Sequence, residues 1–144
     1  MRLSGTALRT LRAVITTFRP RGHGFDHPID DYVLREVVDF FPHLPTPLRL
    51  SFPLGLLLVE FGPPLFARRF TRFSSMPLAE AQAYIEPWAV AGGLRTALYM
   101  GLRTLVFMSF YQHPDVLATM GVDWQGRADM LVQRRAEILR DNPA

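Results

Sequence analysis

The stretch from Gly93 to His113, GLRTALYMGLRTLVFMSFYQH, limits the fold more than any other part of this chain. Its apolar residues recur near the helical period, so the spacing predicts one long helix with a wide apolar stripe. Arg95 and Arg103 project on nearly the same side of that helix. Because a cation inside a membrane span costs a few kcal/mol and the uninterrupted apolar part is much shorter than the ~20 residues required, we expect a buried core helix.

The composition indicates one folded domain. The chain has 144 residues, 49% of them hydrophobic, which is enough to bury roughly two-thirds of its unfolded surface. It has no cysteine, which excludes disulfides, thiolate metal sites and cysteine nucleophiles. All 16 basic residues are arginine, which excludes Schiff-base chemistry through lysine. The 13 acidic residues are interspersed among them and the net charge is only +3, so nucleic acid is not indicated as a partner.

The spacing of apolar residues predicts an N-terminal amphipathic helix over residues 1–18. The prolines and glycines that follow predict a loop over residues 19–27. Six apolar residues share one face of the helix: Leu3, Leu8, Leu11, Val14, Ile15 and Phe18. The segment lacks the apolar core and cleavage pattern of a signal peptide, so we expect a cytoplasmic protein. The apolar face can dock on its own domain, which we favour, or can lie on a membrane surface as a peripheral contact.

Prolines and glycines divide residues 28–140 into further helices. The predicted helices run from Pro28 to about Phe41, from Thr46 as N-cap to about Phe61, from Ser74 or Ser75 to about Ala89, over Gly93–His113, and from about Gly126 to Arg140. In the last helix the candidate inward residues are Met130, Leu131, Ile138 and Leu139. No alternating strand pattern of useful length occurs. The sequence therefore predicts an all-α, single-domain bundle of about six helices over residues 1–144.

One cluster of potential metal ligands falls in the predicted loop. It consists of His23 and His27 together with Asp26, Asp30 and Asp31. Two histidines four residues apart can chelate a metal on a helix, but these straddle Gly24 in a turn-forming context. We favour a solvated loop over a metal site.

Glu60 is the one acidic residue in the most apolar predicted helix. It could act as an acid–base group with a perturbed pKa, or it could pair with an arginine such as Arg103. We favour the ion pair, because no second polar group accompanies Glu60 in the sequence. No glycine pattern of a dinucleotide site and no serine nucleophile elbow occurs, so we predict no catalytic residue and no cofactor site in this chain.

Two neighbouring segments carry more apolar and aromatic residues than one helix face can bury. The helix over residues 46–61 is apolar nearly all round, which predicts burial on most sides or against a partner subunit. The following segment, FARRFTRF, alternates arginine with phenylalanine, a composition enriched in interface hot spots. Anionic lipid or single-stranded nucleic acid would use the same chemistry. The remaining alternative is a surface turn with solvated arginines and buried phenylalanines.

The region from Thr71 to Trp124 resembles a helical module that accompanies certain flavin dehydrogenases. The matching features are a serine-capped helix with Trp88 near its end, a long apolar helix that closes in Phe110-Tyr111, and then Pro114, Val116 and Gly121. Upstream, the segments Leu11–Pro20 and Pro45–Phe61 are similar to the opening helices of the same module. The chain resembles the small subunit of the gluconate 2-dehydrogenase type (subunit 3 family) and the N-terminal region of long-chain alcohol oxidases of the glucose-methanol-choline (GMC) family.

The resemblance implies a non-catalytic accessory subunit that supports the assembly or stability of a separate flavoprotein large subunit, with FAD on that partner and no cofactor in this chain. The family supplies no catalytic residue to transfer. We assign the partner interface to Leu54, Leu57, Leu58, Phe61, Phe66, Arg68, Arg69, Phe70, Arg72 and Phe73. The alternative function is a peripheral membrane or lipid-interacting helical protein.

Overall fold

The computed structural model describes residues 3–22, 28–68 and 70–141. Within these ranges the chain forms eight α-helices and no β-strand. The helices are α1 (Gly5–Phe18), α2 (Asp30–Phe40), α3 (Thr46–Phe61), α4 (Pro63–Phe66), α5 (Leu78–Ile85), α6 (Gly93–Phe110), α7 (Pro114–Thr119) and α8 (Trp124–Asp141). Short 3-10 helices cover Phe41–His43, Phe73–Ser75 and Glu86–Val90.

The all-α prediction is confirmed, but the predicted number of about six helices is too low for the described residues. The two additional helices, α4 and α7, are short and lie outside the predicted helices. Each begins with a proline, whose fixed φ suits the first helical turn and whose missing N–H is not needed there. Helices of four and six residues leave too little periodicity to be recognised in the sequence.

Several predicted boundaries differ from the structure; the fourth predicted helix, for example, begins at Leu78 with Pro77 as its cap and not at Ser74 or Ser75. Two differences have a clear local reason. Thr46 is the first residue of α3 and not its cap; Pro45 takes the cap position without a side-chain hydrogen bond. The helix expected to reach Ala89 ends at Ile85, and a 3-10 helix that contains Pro87 continues from Glu86. A proline inside a helix cannot donate the backbone hydrogen bond, which explains the change of helix type at that position.

The helix at the centre of the structure is α1, not the predicted central helix α6. Ala7, Leu11, Val14 and Ile15 on α1 are all at most 1% exposed. They are covered by α2, α3, α5, α6 and the 3-10 helix Phe73–Ser75, which all pack against α1. The N-terminal helix therefore docks on its own chain, as favoured above, and its apolar face is not available to a membrane.

In contrast, α6 buries only one side. Its buried residues are Tyr99, Leu102, Val106, Ser109 and Phe110. The opposite side carries exposed Leu94, Met100 and Met108. One apolar face of the longest predicted helix is thus left without a cover from the described part of the chain.

The described side chains of the last helix, α8, do not pack into the core. Every α8 side chain that the structure describes is exposed, including Met130, Leu131 and Ile138, so the prediction that these three face inward is wrong. The side chain of Leu139 lies outside what the structure describes. An amphipathic pattern indicates that a face needs a cover, but it does not say which surface provides it. None of the described helices has the length and apolar content needed to cross a membrane.

A buried phenol marks the junction of α3, α4 and α5. Tyr84 is 6% exposed and packs against Phe73 and Trp88, with ring centroids 5.7 and 5.4 Å away. Its hydroxyl has no hydrogen-bond partner among the described residues. The hydroxyl occupies space that Gly62 leaves open, because a β-carbon there would come within 2.4 Å of it. Burial raises the pKa of Tyr84 above its ordinary value of 10.0, although Arg95 opposes the shift.

We expect Tyr84→Phe to be neutral or stabilising at pH 7 and to make stability less sensitive to alkaline pH. Removing an unpaired buried hydroxyl removes its desolvation cost. With a pKa raised in the folded state, the native tyrosine keeps its proton at pH values where the unfolded one loses it, so stability falls as pH rises above about 10. Urea unfolding at pH 7 and at about pH 10.5 measures both effects, with Tyr111→Phe as the exposed control. An equal alkaline loss in Tyr84→Phe and the parent chain would contradict this assignment.

Candidate partner-binding surface

A line of exposed apolar side chains runs along the outer side of α3. It consists of Leu50, Leu54, Leu57 and Phe61, which are between 36% and 66% exposed. Their spacing of four, three and four residues places them on one face of the helix. We call this line the α3 ridge. The inner side of α3 is covered, because Leu56, Val59 and Glu60 are buried against the core. The helix is therefore apolar on both sides, as the sequence indicates, but only one side is buried.

Beside the ridge, α3 and α6 form the walls of an open groove with a volume of about 530 Å³. We call it the α3–α6 groove. Its lining is entirely uncharged and mostly leucine: Leu44, Leu48, Ser51, Phe52, Leu54, Gly55, Leu58, Leu94, Ala97, Leu98, Gly101, Leu102 and Leu105. Leu54 belongs to both features, so the ridge and the groove form one continuous apolar surface.

Two glycines shape the groove in different ways. A β-carbon at Gly55 would come within 2.5 Å of Leu98 Cδ2, so Gly55 allows α3 and α6 to approach closely. A β-carbon at Gly101 would meet no atom within 4 Å, so Gly101 faces open space. Glycine inside a helix costs about 1 kcal/mol of stability relative to alanine. No packing contact among the described residues requires a glycine at position 101, so this cost has no explanation within the chain. A helix that lies in the groove would have room to approach α6 closely at this point.

The arginine–phenylalanine segment, Phe66 to Phe73, continues from the end of the ridge. Phe66 packs edge-on against Trp88 and lies under the guanidinium of Arg95, whose Cζ is 5.1 Å from the ring centroid. Arg72 covers the ring of Phe61 in the same way, at 5.5 Å. These stacked pairs hold two guanidinium groups at the edge of the apolar surface.

Phe70 and Phe73 have opposite environments within this segment. Phe70 is 100% exposed, whereas Phe73 is 1% exposed and belongs to the core. One phenylalanine of the segment is therefore exposed, and another is a core residue, as the surface-turn alternative expects for Phe73. Arg68 has a φ of 51°, in the left-handed region that side chains with a β-carbon rarely adopt. The strained backbone at Arg68 lies within the loop that carries Phe70.

Most residues predicted for the interface lie on this surface. Leu54, Leu57, Phe61, Phe66, Arg68, Phe70 and Arg72 are exposed, and Leu58 lines the groove. Phe73 is buried and is not available to a partner, and Arg69 lies outside the described residues. The prediction did not include Leu50 or the α6 wall, of which Leu94 and Gly101 are the most open positions. Because residues 46–61 are apolar nearly all round, the sequence could have indicated that Leu50 is also exposed. No sequence feature indicated that α6 would form the second wall of the groove.

Glu60 is 1% exposed and has a role different from the one predicted. Its Oε2 accepts hydrogen bonds from Thr10 Oγ1 at 3.1 Å and from the Ser74 backbone N–H at 3.0 Å. Its Oε1 accepts a hydrogen bond from Ser74 Oγ at 2.6 Å. The predicted ion pair with an arginine such as Arg103 is wrong, because no salt bridge among the described residues includes Glu60. The guanidinium of Arg103 stacks on Phe107. Glu60 instead joins α3 to α1 and to the 3-10 helix that follows the arginine–phenylalanine segment.

The predicted cluster around His23, Asp26 and His27 lies outside the described residues. Among the residues that the structure describes, no group of three or more histidines and carboxylates is placed to hold a metal ion. Asp30 pairs with Arg19 and accepts a hydrogen bond from Thr16, while Asp31 pairs with Arg12. These two carboxylates therefore serve the contact between α1 and α2.

No protein-family model, curated protein or solved structure matches this chain. The family resemblance of the sequence therefore stays a prediction.

We expect Glu60→Gln to destabilise the protein by about 1–3 kcal/mol, because the amide group would direct an N–H toward a donor and leave buried hydrogen-bonding groups unpaired. Urea unfolding measures the change, and Asp39→Asn on an exposed part of α2 is the matched acid-to-amide control. A Glu60→Gln variant as stable as the control would show that the hydrogen bonds of Glu60 contribute nothing net.

Proposed function

We propose that this protein is an accessory subunit that binds a separate FAD-bearing large subunit of the GMC oxidoreductase type and supports its assembly or stability. The observation that carries the proposal is the continuous, uncharged apolar surface formed by the α3 ridge and the α3–α6 groove. Monomeric proteins rarely expose an apolar patch of this extent, and such patches commonly mark protein interfaces.

The composition of the surface fits an interface with another protein. Large apolar side chains are exposed along both helices, among them Leu50, Leu54 and Phe61 on α3 and Leu94 on α6. The centre is free of charge, and the arginines Arg72 and Arg95 lie at the edge on the rings of Phe61 and Phe66. An apolar centre with an arginine and aromatic edge is the usual arrangement of a stable interface.

The resemblance identifies the kind of partner, and the structure limits what this chain would contribute. In this proposal the partner holds FAD and oxidises an alcohol or a sugar, and the location of the complex follows from the partner, in the cytoplasm or at a membrane surface. This chain supplies apolar area and the pre-positioned arginine–aromatic pairs. The hydrogen bonds between Glu60 and Ser74 hold the end of the segment that carries Phe70 against α3. The segment is therefore available to the partner in a defined position.

A peripheral membrane role is the second candidate, and one observation favours it. Phe70 is completely exposed, and Arg68 and Arg72 lie two residues to either side of it. A phenylalanine flanked by cations is a common means of attaching a protein to an anionic bilayer surface.

The proposal predicts that Leu54→Asp prevents association with the flavoprotein. Leu54 is 66% exposed, so the aspartate remains solvated in the free chain and the stability should change little. In a complex the same carboxylate would be buried without a partner. Affinity purification of the tagged chain from its native host, with an absorption spectrum and mass identification of the captured protein, is the measurement.

Two further variants sharpen this experiment. Gly101→Leu adds a side chain on the groove side of α6, where a β-carbon meets no atom within 4 Å, and should reduce capture of the flavoprotein in the same way. Val90→Asp, at an apolar residue that is 89% exposed and outside the groove, is the control and should leave capture intact. A parent chain that purifies alone and colourless, or a Leu54→Asp variant that still captures a yellow flavoprotein, would argue against the proposal.

A further inference from the structure

A second cavity lies on a different part of the molecule, between α1 and the segment that precedes α5. Its volume is about 510 Å³, and it shares no lining residue with the α3–α6 groove. Three arginines line it: Arg9 and Arg12 from α1, and Arg72 from the opposite side. Because Arg9 and Arg12 are three residues apart on a helix, they lie on the same face. We call this cavity the arginine cleft.

Two of these guanidinium groups have no carboxylate partner within the described residues. Arg9 donates a hydrogen bond to Thr6 Oγ1 at 3.2 Å, and Arg72 stacks on Phe61. Arg12 pairs with Asp31 at the surface. The described lining of the cleft contains these three arginines and no acidic residue. Because Arg12 is paired with Asp31, Arg9 and Arg72 are the guanidinium groups that can bind an anionic ligand.

Hydroxyl groups and apolar side chains complete the lining. Ser75 contributes a hydroxyl, and Met76 and Leu78 contribute apolar surface. The hydroxyls of Thr16 and Ser74 also line the cleft, but they donate to Asp30 and Glu60. Guanidinium groups bind phosphate oxygens through paired, charge-assisted hydrogen bonds, and hydroxyls supplement them. The volume is within the range of small-ligand sites. A cavity lined by both cationic and apolar groups suits an organic phosphate ester, because such a ligand has an anionic group and an apolar part. A ligand with only one of the two would leave part of the lining without a contact.

Arg72 also lines an adjoining apolar notch of about 220 Å³ together with Phe61, Pro64 and Phe70. One guanidinium group therefore lies between a cationic cleft and an apolar notch that ends in the fully exposed Phe70. A ligand that binds across Arg72 would place its anionic group in the cleft and an apolar part against the phenylalanines. This juxtaposition points to an amphiphilic phosphate ester.

We propose that the arginine cleft binds the singly charged phosphate of a phosphodiester, held by Arg9 and Arg72, with the apolar part of the ligand directed toward Phe70. The same headgroup chemistry can come from a phospholipid in a bilayer or from a free, water-soluble phosphodiester. The proposal does not depend on the flavoprotein partner, because it concerns the chain alone.

The test uses the purified full chain with two probes. Calorimetric titration with glycerophosphoglycerol measures binding of a soluble phosphodiester. Flotation with phosphatidylcholine vesicles, with and without phosphatidylglycerol, measures binding of the same headgroup in a bilayer. We expect binding that weakens as salt increases, since the contact is between exposed charges. Arg9→Gln and Arg72→Gln should each weaken binding about tenfold, the scale of one lost charge-assisted contact.

The matched control is Arg35→Gln, which makes the same change of net charge at an exposed position on α2 away from the cleft. Arg72→Lys should retain part of the affinity, because it keeps the charge but loses the paired hydrogen bonds. Binding of the soluble probe supports the proposal and shows that a free phosphodiester is sufficient. Binding of the vesicles alone, impaired by Phe70→Ser, also supports it and identifies a phospholipid as the source. Absence of binding to both probes, or an equal effect of Arg35→Gln, would overturn it.

This outcome is separable from that of the flavoprotein experiment. The titration and flotation contain no partner protein, and Leu54→Asp should leave both unchanged, because Leu54 does not line the cleft. A chain that captures a flavoprotein but binds neither probe would refute only the phosphate site. A chain that binds phosphodiesters but purifies without a flavoprotein would refute only the accessory-subunit proposal.

Discussion

The burial of α1 is the constraint on which the rest of the structure depends. Four other helices and one 3-10 helix use their inner faces to cover Leu11, Val14, Ile15 and their neighbours. Glu60 adds a directed contact at the same place, because its carboxyl group accepts hydrogen bonds from Thr10 on α1 and from Ser74. Hydrophobic burial has no preferred direction, whereas a buried carboxyl group must have its hydrogen-bond donors in place. The packing around α1 thus holds the helices together, and Glu60 fixes the relative position of α1, α3 and the segment before α5.

Covering α1 leaves the outer sides of α3 and α6 exposed, and this exposure is the physical basis of the proposed function. Both helices are apolar on more than one side, so burial of one face leaves other apolar side chains exposed. The α3 ridge and the α3–α6 groove are the result. In the proposed function, the partner subunit covers this apolar surface. The exposed α8 shows the same property, with an apolar set of residues and no cover among the described residues.

Charge is arranged at the edges of these apolar surfaces. Arg72 and Arg95 lie on the faces of Phe61 and Phe66, where the guanidinium groups stay solvated while their side chains cover the rings. Arg72 also faces the arginine cleft, so one side chain contributes to two neighbouring environments. A composition with arginine as its one basic residue type suits this use, because a planar guanidinium can stack and bind an oxyanion at once.

The all-α fold, the approximate positions of the long helices and the presence of more apolar residues on α3 than one face can bury were predictable from the sequence. The helical spacing of apolar residues and the positions of prolines and glycines are local features of the sequence. They therefore indicate where helices form without knowledge of any tertiary contact. The tertiary structure decided that α1 and not α6 is central, that Phe73 is buried while Phe70 is exposed, and that Ser74 and Thr10 are the partners of Glu60. It also decided that Arg9 and Arg72 face the same cleft. These features depend on which faces of the helices pack against each other. That packing brings together residues far apart in the chain, and it is set by the whole molecule, so a local sequence pattern cannot predict it.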